Sequence, residues 1–408
     1  MATGPDADVI VAGAGMAGVT LALALASGGL KPLLIDPQLF EDQCAPSFDG
    51  RASAISFSAF RQWRALGVAP FLEPHAQRIE QILVTQGGGP GLLRFAADEI
   101  AARNQGEPLG YMLENRHIRA GLASAAAEAG IEVLAPQRVV SAQTSGAAAR
   151  IGLEDGRTLT APLIVGADGR GSLIRREAHI ATQGWGYGQS GVVATVGVER
   201  DHAGVAYEHF LPAGPFAILP LTGRRVSLVW TESTARGAAL AQASPEAFAA
   251  HLGRRFGSFL GQIEVLGPRF VYPLSLQLAE RLVAPRVALI GDAAHAIHPI
   301  AGQGLNMGLK DAAALAQVLT EAARLGEDIG ALDVLERYAR WRGVDNVGVA
   351  LATDLFTRLY SNNHPLVRIA RGVGMAAVGA AGPLRRLFMH EAGGALGDLP
   401  RLLRGEAL

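Results

Sequence analysis

Apolar runs of strand length and helical patterns alternate at the start of the chain. Residues 8–12 form an apolar run, 19–27 are apolar enough for a buried helix, and 31–36 form a second run that ends in an acid. The glycine-rich loop Gly13-Ala14-Gly15-Met16-Ala17-Gly18 joins the first run to the helix. This succession predicts a βαβ unit with Asp36 at the end of its second strand.

The next part of the chain predicts further strands and helices separated by turn residues. Residues 81–95 predict two short strands around a glycine-rich turn, 115–129 has helical spacing, and 131–134 returns to the strand pattern. Residues 137–159 predict a β meander, because the polar turn Glu154-Asp155-Gly156-Arg157 separates two alternating segments.

A second set of elements leads to another glycine motif. A buried strand over 163–167 ends in Asp168-Gly169-Arg170-Gly171-Ser172, and Arg175 follows in a helix. The last strand before the motif Gly291-Asp292 lies within 286–290. Between these two motifs the pattern predicts an antiparallel sheet over 183–232, a helix over 245–256 and a strand over 270–275.

Composition limits the classes of protein to which the chain can belong. Its 408 residues are 49% hydrophobic, which is enough for a large core and more than one domain-sized unit. A net charge of -1 gives no long-range attraction, so no nucleic-acid partner is expected. The single cysteine, Cys44, excludes an internal disulfide and favours a reducing cytoplasm. No apolar stretch reaches the roughly 18–20 residues of a membrane-spanning helix, and no signal peptide is expected.

The two glycine-rich motifs lie far apart in the sequence. The first, residues 13–18, presents backbone N–H groups at a helix N-terminus, which bind a pyrophosphate. Asp36 lies about 20 residues beyond it, where an acid accepts hydrogen bonds from an adenosine ribose. The second opens with Gly291-Asp292 and continues through 302–311. Two such sites indicate one extended cofactor held at both ends, and FAD has that shape.

The second motif also predicts how the flavin end is held. Asp292 follows the carboxyl end of a strand, where it can accept a hydrogen bond from a ribityl hydroxyl. The glycines within 299–308 bring bare backbone to a helix N-terminus, so that it can approach the isoalloxazine ring. The dipole of that helix would stabilise negative charge on reduced flavin.

Taken in order, the three motifs resemble those of the FAD-dependent aromatic hydroxylases related to p-hydroxybenzoate hydroxylase. They are residues 13–18, Asp168-Gly169 with Ser172 and Arg175, and Gly291-Asp292. More narrowly, residues 298–308 resemble the signature of the ubiquinone-biosynthesis hydroxylases of the UbiH and UbiF type, and the tail from Tyr338 to Arg371 is similar to that subgroup. The resemblance covers essentially the whole chain.

The resemblance implies an α/β fold with a Rossmann-like FAD-binding domain, an inserted antiparallel β-sheet substrate domain and C-terminal helices. The FAD-binding domain is expected to be discontinuous, because the second domain is inserted between its segments. The expected boundaries are 1–80, 111–180 and 280–345 for the FAD-binding domain, 81–110 and 181–279 for the substrate domain, and 346–408 for the C-terminal helical region.

The resemblance also implies the chemistry, which is the insertion of one oxygen atom of O2 into the ring of a polyprenylated phenol. NADH or NADPH reduces FAD, and O2 then adds to form a flavin C4a-hydroperoxide, which the electron-rich ring attacks. The protein excludes water and positions the ring, so catalytic carboxylate pairs are not expected. Asp36 stands where many relatives have Glu, and the segments around 185–230 match no motif, which leaves the hydroxylated ring position open.

Site residues are carried over at matching positions. Arg51 and Arg116 match arginines that contact FAD, although a purely surface role is the alternative, and Asp168 with Gly169 matches a motif that serves FAD and the path of the nicotinamide. No residue is assigned as catalytic; His298, Pro299, Gly302 and Gln303 are expected near the flavin ring. The expected cofactor-binding residues are Gly13, Gly15, Ala17, Gly18, Asp36, Arg51, Arg116, Asp168, Gly169, Gly291, Asp292, Pro299, Gly302, Gly304, Leu305 and Asn306.

Other side chains have a structural explanation beside a functional one. His295 and His298 are three apart, but no Cys or Glu completes a ligand set nearby, so no metal site is expected. His298 could line the active site or hold its loop by a hydrogen bond. Trp185, Tyr187 and Phe216 could line an aromatic pocket, but aromatic residues in a sheet more often belong to the core.

The C-terminal residues 366–389 mix apolar residues with arginines and contain no acid. Such a pattern is typical of a basic amphipathic helix on an anionic membrane, and the alternative is a helix packed on the cofactor domain or on a partner subunit. The expected location is therefore the bacterial cytoplasm, with peripheral contact at the inner membrane as one interpretation. Other ubiquinone-biosynthesis proteins and a second copy of the chain are candidate partners.

Three other functions stay open at this point. The chain could be a monooxygenase of another aromatic or hydrophobic substrate on the same fold, or a non-catalytic flavoprotein subunit of a biosynthetic complex. An NAD-dependent dehydrogenase is the third alternative, but it leaves the motif over 291–311 unexplained.

Overall fold

The chain is described by a computed structural model that covers residues 4–45, 47, 49–86, 92–100, 106–297, 302–360, 382, 389, 393–394 and 397–408. Its central sheet matches the predicted Rossmann-like pattern, since Val9–Ala12 is flanked by two parallel neighbours. All neighbouring strands of this sheet are parallel except the first pair. Their order is Val283–Ala284, Val287–Leu289, Leu163–Gly166, Val9–Ala12, Pro32–Ile35 and Glu132–Leu134.

Two long helices pack on the central sheet and on each other. Met16–Ser27 follows the first strand, as predicted, and is buried along most of its length. Gln303–Arg324 packs against it, and Leu309, Leu315 and Leu319 are fully buried in the shared core. The contact between these helices connects the two glycine motifs through the middle of the domain.

A second sheet has eight strands. The sheet is antiparallel, as predicted, except that Val205–Leu211 runs parallel to Gln81–Gln86. The physical reason is that Gln81–Gln86 arrives from a distant part of the chain and not through a hairpin. The order is His295–Ala296, Ile263–Ala279, Thr182–Val198, Arg225–Ser233, Gly214–Leu221, Val205–Leu211, Gln81–Gln86 and Leu92–Ala96.

The two faces of the eight-stranded sheet have different neighbours. On one face, Phe216 and Trp230 pack with Phe248 and Leu252 of the helix Pro245–Phe256. We call the opposite face the inner face; its residues include Ala206, Ala217, Val193, Phe270 and Tyr272, which alternate with residues of the helix-covered face. The inner face packs on a third sheet, which contacts the second glycine motif through Ala54 and Gly302.

The third sheet, of three strands, was not predicted. Its strands are Ala52–Ser56, Gly110–Glu114 and Gln77–Ile79, all antiparallel, and they come from segments on either side of residues 81–96. A separate meander, as predicted over 137–159, consists of Val139–Ser145, Ala148–Leu153 and Thr158–Ala161. The remaining helices are Phe40–Cys44, Phe57–Ala65, Ala69–Leu72, Glu73–His75, Ala97–Ile100, Asn115–Glu128, Leu173–Glu177, Thr234–Gln242, Gly291–Ala293, Leu332–Tyr360 and Arg401–Arg404.

None of the helices in the described part of the chain combines the length and the apolar character needed to cross a bilayer.

Candidate functional site

In the first glycine loop, Gly13 and Gly18 are in close contact with other backbone atoms, whereas Gly15 has open space beside it. An added Cβ at Gly13, whose φ is +106°, would lie 2.4 Å from the Ala167 carbonyl oxygen, and one at Gly18 would lie 2.0 Å from the Gly13 carbonyl oxygen. An added Cβ at Gly15 meets no atom within 4 Å. Because Gly15 caps the helix Met16–Ser27, an anionic group can reach the helix N-terminus at this point.

Asp36 holds the same loop by hydrogen bonds that the sequence did not predict. Its Oδ2 accepts the Ala14 N–H at 2.7 Å, and its Oδ1 accepts the Gln38 N–H at 2.9 Å and the Gln43 side chain at 3.2 Å. Burial raises the pKa of Asp36, while the Gln38 and Ala14 N–H groups oppose that shift. The acid therefore connects the second strand to the glycine loop, and its contact with a ribose stays a prediction.

The second glycine motif lies directly against the first. An added Cβ at Gly308 would lie 3.1 Å from the Gly291 Cα and 3.3 Å from the Ala17 Cβ. Gly291 has a φ of +57°, a conformation that glycine adopts without strain. The helices Met16–Ser27 and Gln303–Arg324 thus bring two motifs that are distant in sequence to one place.

A fully buried network of charged side chains holds the Gly291 turn by a hydrogen bond to its backbone. Asp311 accepts the Gly291 N–H at 3.2 Å, contacts His295 Nε2 at 2.5 Å and accepts Arg342 Nε at 3.0 Å. Asn346 adds a hydrogen bond of 3.3 Å. Burial opposes the charge, but His295 and Arg342 together lower the pKa of Asp311 well below its usual range. Sequence reasoning assigned no role to Asp311, although it ends the quoted motif.

Asp168 caps the short helix that follows it. Its Oδ2 accepts the Leu173 N–H at 2.7 Å and the Ile174 N–H at 3.3 Å, while its buried Oδ1 has no hydrogen-bond partner among the described residues. Gly169 takes a φ of +78°, and an added Cβ there would meet no atom within 4 Å. This loop therefore also presents open backbone beside an acid.

Arg175 joins the loop after Asp168 to the turn after Gly291. Its guanidinium donates to the Arg170 carbonyl at 2.7 Å and to the Ala293 carbonyl at 2.8 Å. Burial lowers the pKa of Arg175. From the sequence, Arg175 was assigned to the Asp168 motif without a predicted contact. In the structure it connects that motif to the Gly291 motif.

Asp292 lies at the surface of this junction, between two arginines. Its carboxylate is 3.5 Å from Arg170 Nε, and both side chains are about half exposed. Burial would lower the pKa of Arg51, but hydrogen bonds and charge from Asp49, together with the charges of Tyr272 and Asp292, raise it. The position is suitable for a polar contact with a ligand, and the contact of Asp292 with a ribityl hydroxyl stays a prediction.

Arg51 is held by a buried carboxylate that sequence reasoning missed. Asp49 accepts two hydrogen bonds from Arg51, at 2.8 and 2.9 Å, one from Arg119 at 2.7 Å and one from Asn115 at 2.9 Å. Burial opposes the charge, but the two arginines lower the pKa of Asp49 well below its usual range. The Arg51 guanidinium lies 4.6 Å from the centre of the Tyr272 ring, so it also touches the inner face of the large sheet.

Arg116 lies in the first turn of the helix Asn115–Glu128, and only some of its guanidinium N–H groups bond to described residues. Its Nη2 donates to Glu114 at 3.0 Å, and Glu114 also pairs with Arg225 at 3.1 Å. Its buried Nε has no hydrogen-bond partner among the described residues. A buried guanidinium N–H that is left unpaired in this way is ready to donate to a bound group.

Gly302 and Asn306 attach the second motif to the third sheet. Gly302 has a φ of +63°, and an added Cβ would lie 3.0 Å from the Ala54 Cβ. The Asn306 amide donates to the Ala54 carbonyl at 2.8 Å and to the Gly302 carbonyl at 3.1 Å, and it accepts the Ser56 N–H at 3.0 Å. The Asn306 side chain is thus engaged by the protein, and only its backbone is left to approach a cofactor.

The other predicted residues of this motif have different positions. Gln303 begins the long helix, Gly304 has room for a Cβ 4.0 Å from Ile297, and Leu305 packs against the core. His298 and Pro299 lie outside the described residues.

The three candidate aromatic residues behave differently from one another. Phe216 is fully buried beside Trp230, so for Phe216 the core interpretation is confirmed. Trp185 is 42% exposed, so for it the core interpretation is wrong. The Trp185 indole N–H and the Tyr187 hydroxyl both donate to Asp354, at 3.2 and 2.9 Å, which ties the long strand Thr182–Val198 to the helix Leu332–Tyr360.

The residues around this junction fit FAD. Open backbone at Gly15 and Gly169, the Arg116 Nε that has no partner among the described residues, and the exposed Asp292 carboxylate offer donors and acceptors to such a cofactor. A pyrophosphate requires N–H donors at a helix N-terminus, and the ribityl chain and ring require polar groups and bare backbone. Both sets are present.

Comparison with known proteins identifies the family. The FAD binding domain family matches residues 6–342. The chain is 45% identical to ubiquinone hydroxylase UbiL of Rhodospirillum rubrum over 98% of this chain and 94% of that protein. It is 34% identical to the 3-demethoxyubiquinol 3-hydroxylase of Escherichia coli over 96% of this chain and 99% of that protein.

Among solved structures, p-nitrophenol 4-monooxygenase PnpA from Pseudomonas putida superposes with a TM-score of 0.79. The superposition covers 96% of this chain and 99% of PnpA, and the two sequences are 19% identical. This structural similarity confirms the predicted fold class. The motifs, the fold and the full-length relatives agree: the chain belongs to the FAD-dependent hydroxylases of ubiquinone biosynthesis.

Proposed function

We propose that this chain hydroxylates the ring of a polyprenylated phenol, and that it acts at a step of ubiquinone biosynthesis. The observation that carries the proposal is the convergence of the two glycine motifs at Ala17, Gly291 and Gly308, in a chain whose full-length relatives are ubiquinone hydroxylases. NADH or NADPH is the proposed electron donor and O2 the proposed co-substrate.

Each part of the site has a proposed task in this reaction. The open backbone at Gly15 binds the pyrophosphate, Asp36 the adenosine ribose, and Asp292 the ribityl chain. Arg51 and Arg116 add positive charge along the cofactor. When bound, FAD supplies hydride acceptance from NAD(P)H and the activation of O2 for transfer of one oxygen atom.

The protein contributes position and shielding from water. Arg175 and the Asp311 network fix the turn at Gly291 in one geometry before the cofactor binds. The helix Gln303–Arg324 directs its N-terminus, capped by Gly302, towards the proposed position of the flavin ring, where its dipole stabilises negative charge. We propose that the inner face of the large sheet closes the substrate side, as part of the proposed substrate domain.

Membrane contact through residues 366–389 stays a prediction, because nearly all of that segment lies outside the described residues. It suits a substrate with a polyprenyl tail. The test compares liposome binding by the full chain with binding by a chain that ends before residue 366 and still folds. Equal binding by the two chains would contradict the membrane contact.

The first experiment is an absorbance spectrum of the purified protein, followed by anaerobic reduction with NADH or NADPH, with and without a short-chain prenylphenol. A flavin spectrum and reduction that is faster with the phenol would support a hydroxylase whose reduction depends on substrate. Failure to bind added FAD would contradict the proposal. Bound flavin that neither nucleotide reduces would favour a protein electron donor or a non-catalytic subunit.

A further inference from the structure

The inner face of the large sheet carries a carboxylate whose surroundings differ from those of the ion-paired carboxylates described above. Glu208 lies on the strand Val205–Leu211, where its register partners are Ala217 on one side and Val84 on the other. Ala206 and Phe210, the next residues on the same face, are both buried in apolar clusters. A single acid thus lies within an apolar row, a position that strands normally give to Val, Leu or Phe.

The described residues supply no partner for this acid. Neither a hydrogen bond nor an ion pair to Glu208 is found among them, although protein surrounds the side chain. The side chain nevertheless keeps part of its accessible surface. The alternation along the strand places Glu208 on the inner face, on the side of the large sheet where the third sheet packs.

This side of the sheet adjoins the proposed position of the flavin ring. Ala54, on the strand Ala52–Ser56, packs in the same apolar cluster as Ala206 and also contacts the Gly302 loop. Glu208 follows Ala206 by two residues on the same face, about 7 Å along the strand. The strand Ala52–Ser56 therefore connects the neighbourhood of Glu208 to the loop at which the ring is expected.

We propose that Glu208 is a catalytic residue that accepts the proton of the ring hydroxyl of the bound phenol. This inference rests on the proposed function. In the step, the phenolic O–H bond breaks, its electron pair stays on the ring oxygen, and the proton forms an O–H bond with the Glu208 carboxylate. A phenolate ring is more electron-rich than the phenol, so it accepts an electrophilic oxygen atom faster.

The protonation behaviour of Glu208 suits this task. Burial raises the pKa of Glu208 to about 7, and no neighbouring charge contributes to the shift. Two other titratable groups on the inner face are engaged elsewhere, since Arg225 pairs with Glu114 of the facing strand and the Tyr272 hydroxyl lies 3.4 Å from Asp49, while Glu264 on the same face is exposed. A base that titrates near neutral pH is the most effective one for a reaction at that pH.

The variant Glu208→Gln keeps the shape of the side chain and removes the base. Because no described residue pairs with the carboxylate, the exchange leaves no described partner unsatisfied, and Glu264→Gln, at an exposed position of the same sheet, is the matched control. The holoenzyme variants are assayed with a short-chain prenylphenol, as kcat/KM against pH. Flavin content and substrate-free NAD(P)H oxidation are measured alongside.

We expect Glu208→Gln to keep FAD and to lose about 100-fold or more in kcat/KM for hydroxylation at neutral pH. In the wild type and in Glu264→Gln, kcat/KM should fall as the pH drops below about 7. In Glu208→Gln this fall should disappear, and the rate should recover as the pH approaches the phenol's own pKa of about 10. A merely structural role would not produce that recovery.

Two results would overturn the assignment. One is a Glu208→Gln enzyme that hydroxylates at the wild-type rate with the wild-type pH profile. The other is a wild-type kcat/KM that does not change between about pH 6 and 8, and this measurement needs no variant. A wild-type enzyme that holds FAD but hydroxylates no prenylphenol would instead contradict the proposed function, so the two failures can be told apart.

Discussion

Replacing Asp311 by Asn tests whether the buried charge network supports the Gly291 turn. Asp311 is fully buried, and it pairs with His295 and with Arg342, whose side chain is only 4% exposed. In Asp311→Asn the Arg342 charge keeps one carboxylate partner among the described residues, Asp345, which is 48% exposed. The variant therefore leaves a buried cation with a single solvent-screened carboxylate.

The loss should be large for a single substitution. Removing one member of a buried ion pair costs about 3–5 kcal/mol, and we expect the lower end because Asp345 remains. An unfolding entropy of about 2.1 cal/mol/K per residue gives about 0.86 kcal/mol/K for 408 residues. A loss of about 3 kcal/mol then lowers the melting temperature by about 3–4 °C if the chain unfolds as one unit.

The pH dependence has a definite sign. The folded pKa of Asp311 is lowered, so its contribution to stability is fully present above the unfolded value of about 3.9. It is lost as the pH falls through that value towards the folded pKa. Asp311→Asn should therefore be less stable than the wild type at neutral pH, and the gap should narrow in acid.

Calorimetry or circular dichroism of the apoprotein measures the melting temperature, and flavin fluorescence measures the affinity for FAD. The control is Asp345→Asn, which removes an exposed partner of the same arginine and should cost no more than about 1 kcal/mol. If Asp311→Asn melts within 1 °C of Asp345→Asn at neutral pH, the network does not carry the stability assigned to it.

Further substitutions test the cofactor site. Gly13→Ala should destabilise the fold by more than about 2 kcal/mol, because its Cβ would meet the Ala167 carbonyl at a positive φ; equal melting of Gly13→Ala and Gly15→Ala would contradict this. Gly15→Ala should fold normally and bind FAD more weakly, measured by equilibrium titration, since its Cβ occupies the open approach to the helix. Asp49→Asn should weaken FAD binding and lower the melting temperature by releasing Arg51 and the buried Arg119; unchanged values for both would refute that role.

Local elements followed directly from the sequence. The helices Met16–Ser27, Asn115–Glu128 and Pro245–Phe256 and the parallel strands were predictable, because burial on one side leaves a periodic pattern and turns demand glycine or polar residues. The third sheet was missed, because its strands are short and pair with segments distant in sequence. The parallel pairing of Gln81–Gln86 with Val205–Leu211 is also invisible to a local pattern.

In the candidate site, too, some features were predictable from the sequence and others only from the fold. The sequence by itself identified the glycines that we propose to border a phosphate or a ring, since only glycine allows close backbone approach, and it fixed the order of the motifs that indicates FAD. Only the tertiary structure decided what holds those motifs together: Asp49 with its arginines, Arg175 between two loops, and Asp311 beneath Gly291. A charged residue has the same letter whether it is solvated or buried, and its partners are set by the crossing of distant segments, so its role emerges only when the chain is folded.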